Sequence, residues 1–82
     1  MTELDELLEA LDLARDGRGR ALREHADISL RTLASILTVD PATLSRWERG
    51  LTKPRGEAAG RWAQACRRIT EERGRRRGEV AS

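Results

Sequence analysis

The chain has 82 residues, 37% of them charged, with 16 basic against 14 acidic side chains and a net charge of +2. This length provides one small domain with a thin core, and two tryptophans are the only aromatic side chains that can fill it. The single cysteine excludes an intramolecular disulfide, and one cysteine with one histidine cannot build a zinc site, so no metal or other cofactor is expected.

An acidic amphipathic helix is predicted for residues 1–16, and Thr2 can cap its first turn. This segment holds six acidic side chains against Arg15 alone, whereas the chain from Gly17 onward is strongly basic. Its apolar stripe consists of Leu4, Leu7, Leu8 and Leu11. We expect this stripe to pack against the rest of the fold, although dimerisation through the leucines and binding of another protein stay open.

Glycine interrupts the helical pattern at Gly17 and Gly19, so the first helix either ends there or continues weakly into the next one. A short helix is predicted over residues 20–26, with Ala21 and Leu22 facing inward. The two glycines therefore mark the boundary between the acidic segment and the basic part of the chain.

Two further short helices are predicted on either side of a break at residues 38–40. Ser29 is a favourable N-cap for the first of them. The buried stripe of that helix consists of Leu30, Leu33, Ala34 and Leu37. Asp40 caps the second helix, where Pro41 loses nothing because its missing N–H would be unpaired in any case. Gly50 ends this helix by accepting a left-handed conformation.

Proline and glycine make residues 51–56 a loop, and a last helix is predicted over residues 57–72. The packed side of that helix consists of Ala58, Trp62, Ile69 and either Ala65 or Cys66. The glycines and charges of residues 73–82 leave almost nothing to bury, so this basic tail is expected to be disordered. No segment alternates with period two, so the chain is predicted to be all-α, with an acidic helix (1–16), a core (17–72) and the tail.

The stretch ISLRTLASILTVDPATLSRWERG, residues 28–50, resembles the Cro/lambda-repressor-type helix-turn-helix family, also called the XRE family. The run TLSRWERG followed by KP is the most specific part, and the likeness extends over residues 18–70. The matching positions are Ser29, Leu33, Ala34, Leu37, Val39, Thr43, Leu44, Ser45, Arg46, Trp47, Glu48, Arg49 and Gly50. The resemblance implies a lambda-repressor-like bundle of about five short helices that binds double-stranded DNA.

The predicted helix over residues 41–49 has two sides that differ in chemistry. The inward side consists of Leu44, Trp47 and Glu48, which share one face by their spacing. The outward side consists of Ala42, Ser45, Arg46 and Arg49. Because the outward side is small near its N-terminus and cationic further along, it suits a major groove, where arginine binds guanine or phosphate.

The resemblance also implies roles for single residues. It implies base reading by Pro41, Ala42, Thr43 and Arg46. It implies phosphate binding by Ser29, Arg31, Ser45, Arg49, Thr52 and Lys53. The equivalent glutamate of the family commonly pairs with a basic residue on an earlier helix, which implies a structural salt bridge between Glu48 and Arg23 here.

Two positions depart from the family pattern. Leu30 stands where the family often has a phosphate-binding glutamine, which puts that contact in question. Thr38 stands where the turn often has glycine, so either it adopts a left-handed conformation at a cost of about 1 kcal/mol or the turn differs. Because the first two residues of the reading helix offer no hydrogen-bond donor, specificity is expected to fall to Arg46, Thr43 and DNA shape.

The expected function is transcription regulation through a DNA operator, by a repressor of the phage or prophage Cro-like type in a bacterial or phage-infected host cell. Such proteins usually bind paired half-sites as homodimers, with reading helices about 34 Å apart. No nucleophile, base and oxyanion-hole combination is present, so an enzyme is not expected. No apolar run could span a membrane and no signal peptide is evident, so a cytoplasmic protein is expected.

Several alternatives stay open. An antitoxin would use the same DNA-binding core and bind its toxin through residues 1–16, and a protein-interaction module would use the fold without DNA. The acidic helix is also a candidate cover that competes with DNA for the basic face. The arginines near the C-terminus either follow DNA phosphates or a minor groove, or only solubilise the tail. These arginines are Arg67, Arg68, Arg73, Arg75, Arg76 and Arg77.

Overall fold

The computed structural model describes residues 2–81 as five helices and their connections, with side chains described for residues 2–75. The helices are α1 (Glu3–Asp16), α2 (Arg18–His25), α3 (Leu30–Leu37), α4 (Pro41–Glu48) and α5 (Gly56–Ala81). None of these described residues belongs to a strand, which confirms the all-α prediction. Within the same range, no helix combines the length and the apolar character needed to cross a membrane.

Side-chain hydrogen bonds determine where three of the helices begin. Thr2 forms a capping box at the start of α1. At α3, Oγ of Ser29 accepts from the backbone N–H of Thr32 at 3.1 Å. At α4, Oδ1 of Asp40 accepts from the backbone N–H of Ala42 at 2.8 Å. The caps predicted for these three helices are therefore the observed N-caps, each one residue before the helix begins.

The core lies along α5, which packs most extensively on α1 and carries the fully buried Trp62. The rings of Trp47 and Trp62 pack with their centroids 5.5 Å apart and their planes tilted by 38°. A Cβ at Gly19 would lie 2.4 Å from Cζ2 of Trp62, so glycine lets α2 approach this ring. The core consists of Ala10, Leu13, Ala14, Leu33, Ala34, Leu37, Leu44, Trp47, Ala59, Trp62, Ala63 and Cys66.

The buried face of α1 differs from the predicted leucine stripe. Leu4 and Leu8 are 62% and 52% exposed. The residues of α1 that are buried instead are Ala10, Leu13 and Ala14. Small residues allow α1 to lie close to α5, whose buried face also contains two alanines, Ala59 and Ala63. The prediction from leucine periodicity was therefore wrong for Leu4 and Leu8, whereas Leu7 of the predicted stripe packs against the core and Leu11 is partly buried. It was right that the helix packs on the fold.

A single glycine separates α1 from α2. Gly17 has a φ of 77°, so it ends α1 in the left-handed conformation, and α2 begins at Arg18. The chain therefore turns at this point, and α2 starts two residues before the predicted boundary. Ala21, which was predicted to face inward, is exposed, because α2 turns Gly19 rather than Ala21 towards the core.

The last helix is longer than predicted. The sequence pattern ended it near residue 72 and indicated disorder in the tail, whereas α5 continues to Ala81. Ion pairs three and four residues apart support this extension, since Oε1 of Glu72 lies 2.8 Å from Nη1 of Arg68 and 3.4 Å from Nη1 of Arg75. The side chains of Arg76 and Arg77 lie outside the described residues, so the role of the basic tail stays a prediction.

Candidate nucleic-acid interface

A tight turn joins α3 to α4. Thr38 ends α3 with a φ of 60° and a ψ of 45°, which is the left-handed conformation that the sequence left as one of two options. The N–H of Val39 donates to the carbonyl of Ala34 at 3.0 Å and closes the turn. From α5, Nε of Arg61 donates to the carbonyl of Leu37 at 3.0 Å. Carbonyl groups at the end of α3 thus accept hydrogen bonds both from the turn itself and from α5. These bonds hold the turn in place.

The helix α4 presents one side to the core and the other to solvent. Its buried residues are Leu44, Trp47 and Glu48. The exposed or partly exposed residues of the opposite side are Ala42, Ser45, Arg46 and Arg49. The carboxylate of Asp40 caps the helix, which places its negative charge at the positive end of the helix dipole. The division into two sides that the spacing predicted is confirmed.

A bidentate ion pair fastens the inner side of α4 to α2. Nε of Arg23 lies 2.7 Å from Oε2 of Glu48, and Nη2 lies 3.1 Å from Oε1. The remaining guanidinium nitrogen, Nη1, donates to the carbonyl of Ile28 at 2.9 Å. The hydrogen bonds that Arg23 donates to the carboxylate of Glu48 raise the pKa of Arg23, which keeps the guanidinium charged. The structure therefore brings together the two residues that were paired from the sequence.

The residues expected to read bases lie at the exposed N-terminal end of α4. Pro41 and Ala42 are exposed, and Thr43 is partly exposed. Nη2 of Arg46 donates to Oγ1 of Thr43 at 3.5 Å, so the guanidinium lies back along the helix towards its N-terminus. The tip of α4 therefore carries the apolar side chains of Pro41 and Ala42, and Arg46 lies one turn further along the helix.

The residues expected to bind phosphates are spread over three segments around α4. Ser29 and Arg31 lie at the start of α3, where the hydroxyl of Ser29 is engaged with Thr32 as the helix cap. Ser45 and Arg49 lie along α4, and Nε of Arg49 donates to the carbonyl of Ser45 at 3.4 Å. Thr52 and Lys53 are exposed in the loop after α4. Thr52 and Lys53 follow α4 closely along the chain, whereas Ser29 and Arg31 lie at the far end of the preceding helix.

Unpaired basic side chains concentrate in the stretch of chain that contains α3, α4 and the loop after α4. Between the start of α3 and the start of α5 the chain has five basic side chains, Arg31, Arg46, Arg49, Lys53 and Arg55, and none forms an ion pair with any residue that the structure describes. The two acids of this stretch are the cap of α4 and the buried partner of Arg23. Positive charge is therefore left without local compensation next to α4, which favours binding of a polyanion.

The arginines of α1, α2 and α5 have a different environment. Those that pair with acidic side chains are Arg15, Arg18, Arg20, Arg23, Arg61, Arg67, Arg68 and Arg75. Several of these arginines are as exposed as those near α4, so exposure alone does not distinguish the two groups. Pairing does distinguish them, with Arg73 of α5 as the exception among the described arginines, since none of the ion pairs includes it.

Leu30 and Arg55 differ from what the family pattern and the sequence predicted. Leu30, which stands where the family often has glutamine, is partly buried against the core and so contributes to packing. Arg55 was not among the predicted site residues, yet it is exposed and unpaired within the described part of the chain, two residues after Lys53. The sequence signal that could have identified it is its position directly after Pro54, because proline restricts the backbone of the loop that carries Lys53 and Arg55.

Comparison with known proteins identifies one family. A family model described as helix-turn-helix matches residues 20–76, which include α3, α4 and most of α2 and α5. The same comparison leaves α1 outside the matched region. Searches among curated proteins and among solved structures gave no match.

Proposed function

The chain belongs to the Cro/lambda-repressor-type (XRE) family of helix-turn-helix proteins, which are DNA-binding transcriptional regulators, and we propose that it is a sequence-specific repressor of the small phage or prophage Cro-like kind. The observation that carries this proposal is the concentration of unpaired cations around the exposed side of α4, described above. A groove-reading helix needs small side chains near its tip and positive charge beside it. Both are present on the side of α4 that faces solvent.

In this proposal α4 enters the major groove, tethered from behind by Leu44, Trp47 and Glu48. Bases are read by the N-terminal end of the helix, through Pro41, Ala42, Thr43 and Arg46. Phosphates are bound by Ser29, Arg31, Ser45, Arg49, Thr52 and Lys53. Exposed Arg55 extends the last of these segments, because it continues the loop that carries Lys53.

The active form on DNA is proposed to be a homodimer on two half-sites. Two-fold symmetric helix-turn-helix proteins place their reading helices one turn of DNA apart, about 34 Å, so the operator is expected to be an approximate palindrome. Sizing the chain alone and in complex with a selected duplex tests this part. A complex that contains one chain per operator would contradict it.

Selection of binding sites from a random duplex pool is the main experiment, followed by three single substitutions. Arg46→Ala should weaken binding to the selected site and relax the preference at one base pair. Arg49→Ala should weaken binding to selected and random duplex alike and reduce the salt slope by about one. Arg20→Ala is the matched control, since Arg20 is an exposed arginine that already pairs with Glu24.

Three results would contradict the proposal. If the pool yields no enriched sequence while random duplex still binds weakly at low salt, the protein-interaction module becomes the better interpretation. If Arg20→Ala and Arg46→Ala affect binding equally, general charge and not the α4 side accounts for it. An NMR titration in which added duplex leaves the resonances of Thr43, Arg46 and Arg49 unshifted would show that α4 does not contact DNA.

The arginine-rich end of α5 is proposed to contact DNA phosphates as an additional arm. Removal of residues 73–82 should then lower the slope of log affinity against log salt, because fewer counterions are released on binding. A truncated chain with the same slope as the full chain would assign the tail a solubilising role.

One observation favours an antitoxin as the second candidate. Leu4 and Leu8 are exposed on α1, which lies outside the residues matched by the helix-turn-helix family. An antitoxin would use such leucines to bind its toxin. Leu4→Gln with Leu8→Gln should then abolish neutralisation of the product of the adjacent gene and leave operator binding unchanged. If the adjacent gene product is harmless when expressed alone, this candidate is excluded.

A further inference from the structure

We propose that α4 selects half-sites in which thymine lies under the helix tip and a guanine lies within about two base pairs of it. This inference rests on the proposed function, because it specifies the bases that the DNA-reading side of α4 would recognise. It assigns thymine recognition to Pro41 and Ala42 and guanine recognition to Arg46.

The tip of α4 offers methyl and methylene groups. Pro41 and Ala42 are both exposed, and neither side chain carries a polar atom. In the major groove, the thymine methyl is the feature that an apolar side chain can contact, while the other base edges present donors and acceptors that it would desolvate without compensation. The tip therefore favours thymine and disfavours bases whose polar edges it would cover.

The one acid at the tip is already engaged. Oδ1 of Asp40 accepts from the backbone N–H of Ala42 at 2.8 Å, as the cap of α4. A free carboxylate at this place would favour cytosine by accepting from its amino group. Because this carboxylate is held by the helix N-terminus, it does not compete with the apolar contacts for the choice of base.

The guanidinium of Arg46 lies close to this tip. Its Nη2 donates to Oγ1 of Thr43 at 3.5 Å, which directs the group towards the N-terminal end of α4 and leaves its remaining N–H donors available. Two parallel N–H donors match O6 and N7 of guanine, the commonest specific contact of arginine with DNA. Residues 42 and 46 are about 6 Å apart along a helix, which corresponds to about two base-pair steps.

Other cations of α4 do not fit this role. Arg49 lies nearly one further turn away from the tip, and its Nε faces the carbonyl of Ser45. As the residue that follows α4, Arg49 is not paired with an acid in the described part of the chain, which suits a phosphate contact. Arg46 is therefore the arginine of α4 placed to read the bases next to those under Pro41 and Ala42.

The test uses the full chain and chemically modified operators obtained after site selection. Replacement of the tip thymine by deoxyuridine removes only its methyl group and should weaken binding about threefold. Replacement of the guanine by 7-deazaguanine removes only the N7 acceptor and should weaken binding about tenfold. Neither change alters the protein, so misfolding cannot account for the effect.

Protein variants then assign each effect to its residue. In Ala42→Gly, deoxyuridine should cost clearly less affinity than in the wild type, since only Pro41 is left to contact the methyl group. In Arg46→Ala, 7-deazaguanine should cost none, since its partner is already absent. Circular dichroism melts confirm that each variant is folded. If either variant keeps the full sensitivity of the wild type to its modified base, that assignment is overturned.

Failure of this inference and failure of the proposed function give different results. An enriched operator whose half-sites lack thymine and guanine at this spacing would overturn the inference and leave sequence-specific binding intact. A pool without any enriched sequence would overturn both.

Discussion

Both carboxylate oxygens of Glu48 accept hydrogen bonds from the guanidinium of Arg23, 25 residues earlier in the chain, at 2.7 and 3.1 Å. The side chains of Arg23 and Glu48 are only 12% and 3% exposed. The pair joins α2 to the inner side of α4, opposite the side proposed to bind DNA. It therefore positions the proposed reading helix without using any group on its exposed side.

Breaking this pair should destabilise the fold. Arg23→Ala or Glu48→Ala leaves one buried charge without its partner, so each should lower the free energy of unfolding by about 3 kcal/mol. Urea and thermal unfolding measure the loss. Arg20→Ala, which breaks an exposed pair with Glu24, is the control and should cost less than about 1 kcal/mol. Equal melting temperatures for Glu48→Ala and the wild type would contradict the structural role.

Gly19→Ala should destabilise the protein, although alanine favours helices. Its Cβ would lie 2.4 Å from Cζ2 of the fully buried Trp62, so the ring or α2 must shift, at a cost of about 1–3 kcal/mol. Gly74→Ala in α5 is the matched control, because a Cβ there meets no atom within 4 Å. That change should stabilise the helix by up to about 1 kcal/mol. If both substitutions shift the melting temperature in the same direction, the packing at Gly19 is not as tight as described.

Thr38→Gly should raise the free energy of unfolding by about 0.5–1 kcal/mol. Thr38 has a φ of 60°, which a β-branched side chain adopts only with strain, and its side chain is exposed. The gain is limited because glycine has more freedom in the unfolded chain. Thr38→Val keeps the branched Cβ and should give no such gain. Thr38→Gly that melts no higher than Thr38→Val would show that the conformation is not strained.

The buried thiol of Cys66 should make the fold less stable in alkali. Burial, with the negative charges of Glu48 and Glu9, raises the pKa of Cys66 to about 12 from its ordinary value of 9.0. Between these values the unfolded thiol loses its proton while the folded one keeps it. The folded state then binds more protons, so stability falls as pH rises.

Urea unfolding of the wild type and of Cys66→Ala between pH 8 and about 10.5 isolates this contribution. The wild type should lose stability faster than the variant, which has no thiol to titrate. A difference between the two proteins that is constant with pH would contradict the prediction. Thiol reagents should label Cys66 only at the rate of unfolding, since the residue is buried.

Local signals were enough to predict most helix boundaries and the two sides of α4. The caps Ser29 and Asp40 form hydrogen bonds with residues two or three positions away. The burial of Leu44 and Trp47 follows from their spacing on one helix face. The pairing of Arg23 with Glu48 came from the family resemblance and not from any local pattern, since these residues are far apart in the chain.

The sequence by itself determined the five helices and the two sides of one of them, α4, which has an apolar side and a cationic side. It could do so because caps, turns and helix periodicity act over a few neighbouring residues. Only the tertiary structure decided which leucines of α1 are buried, since Leu13 packs in the core while Leu4 and Leu8 stay exposed, and this depends on how closely α1 lies against the small residues of α5. It also decided the two long-range ion pairs among the described residues, Arg23 with Glu48 and Arg67 with Glu9, because only folding brings these residues together, whereas the other pairs join residues two to four positions apart.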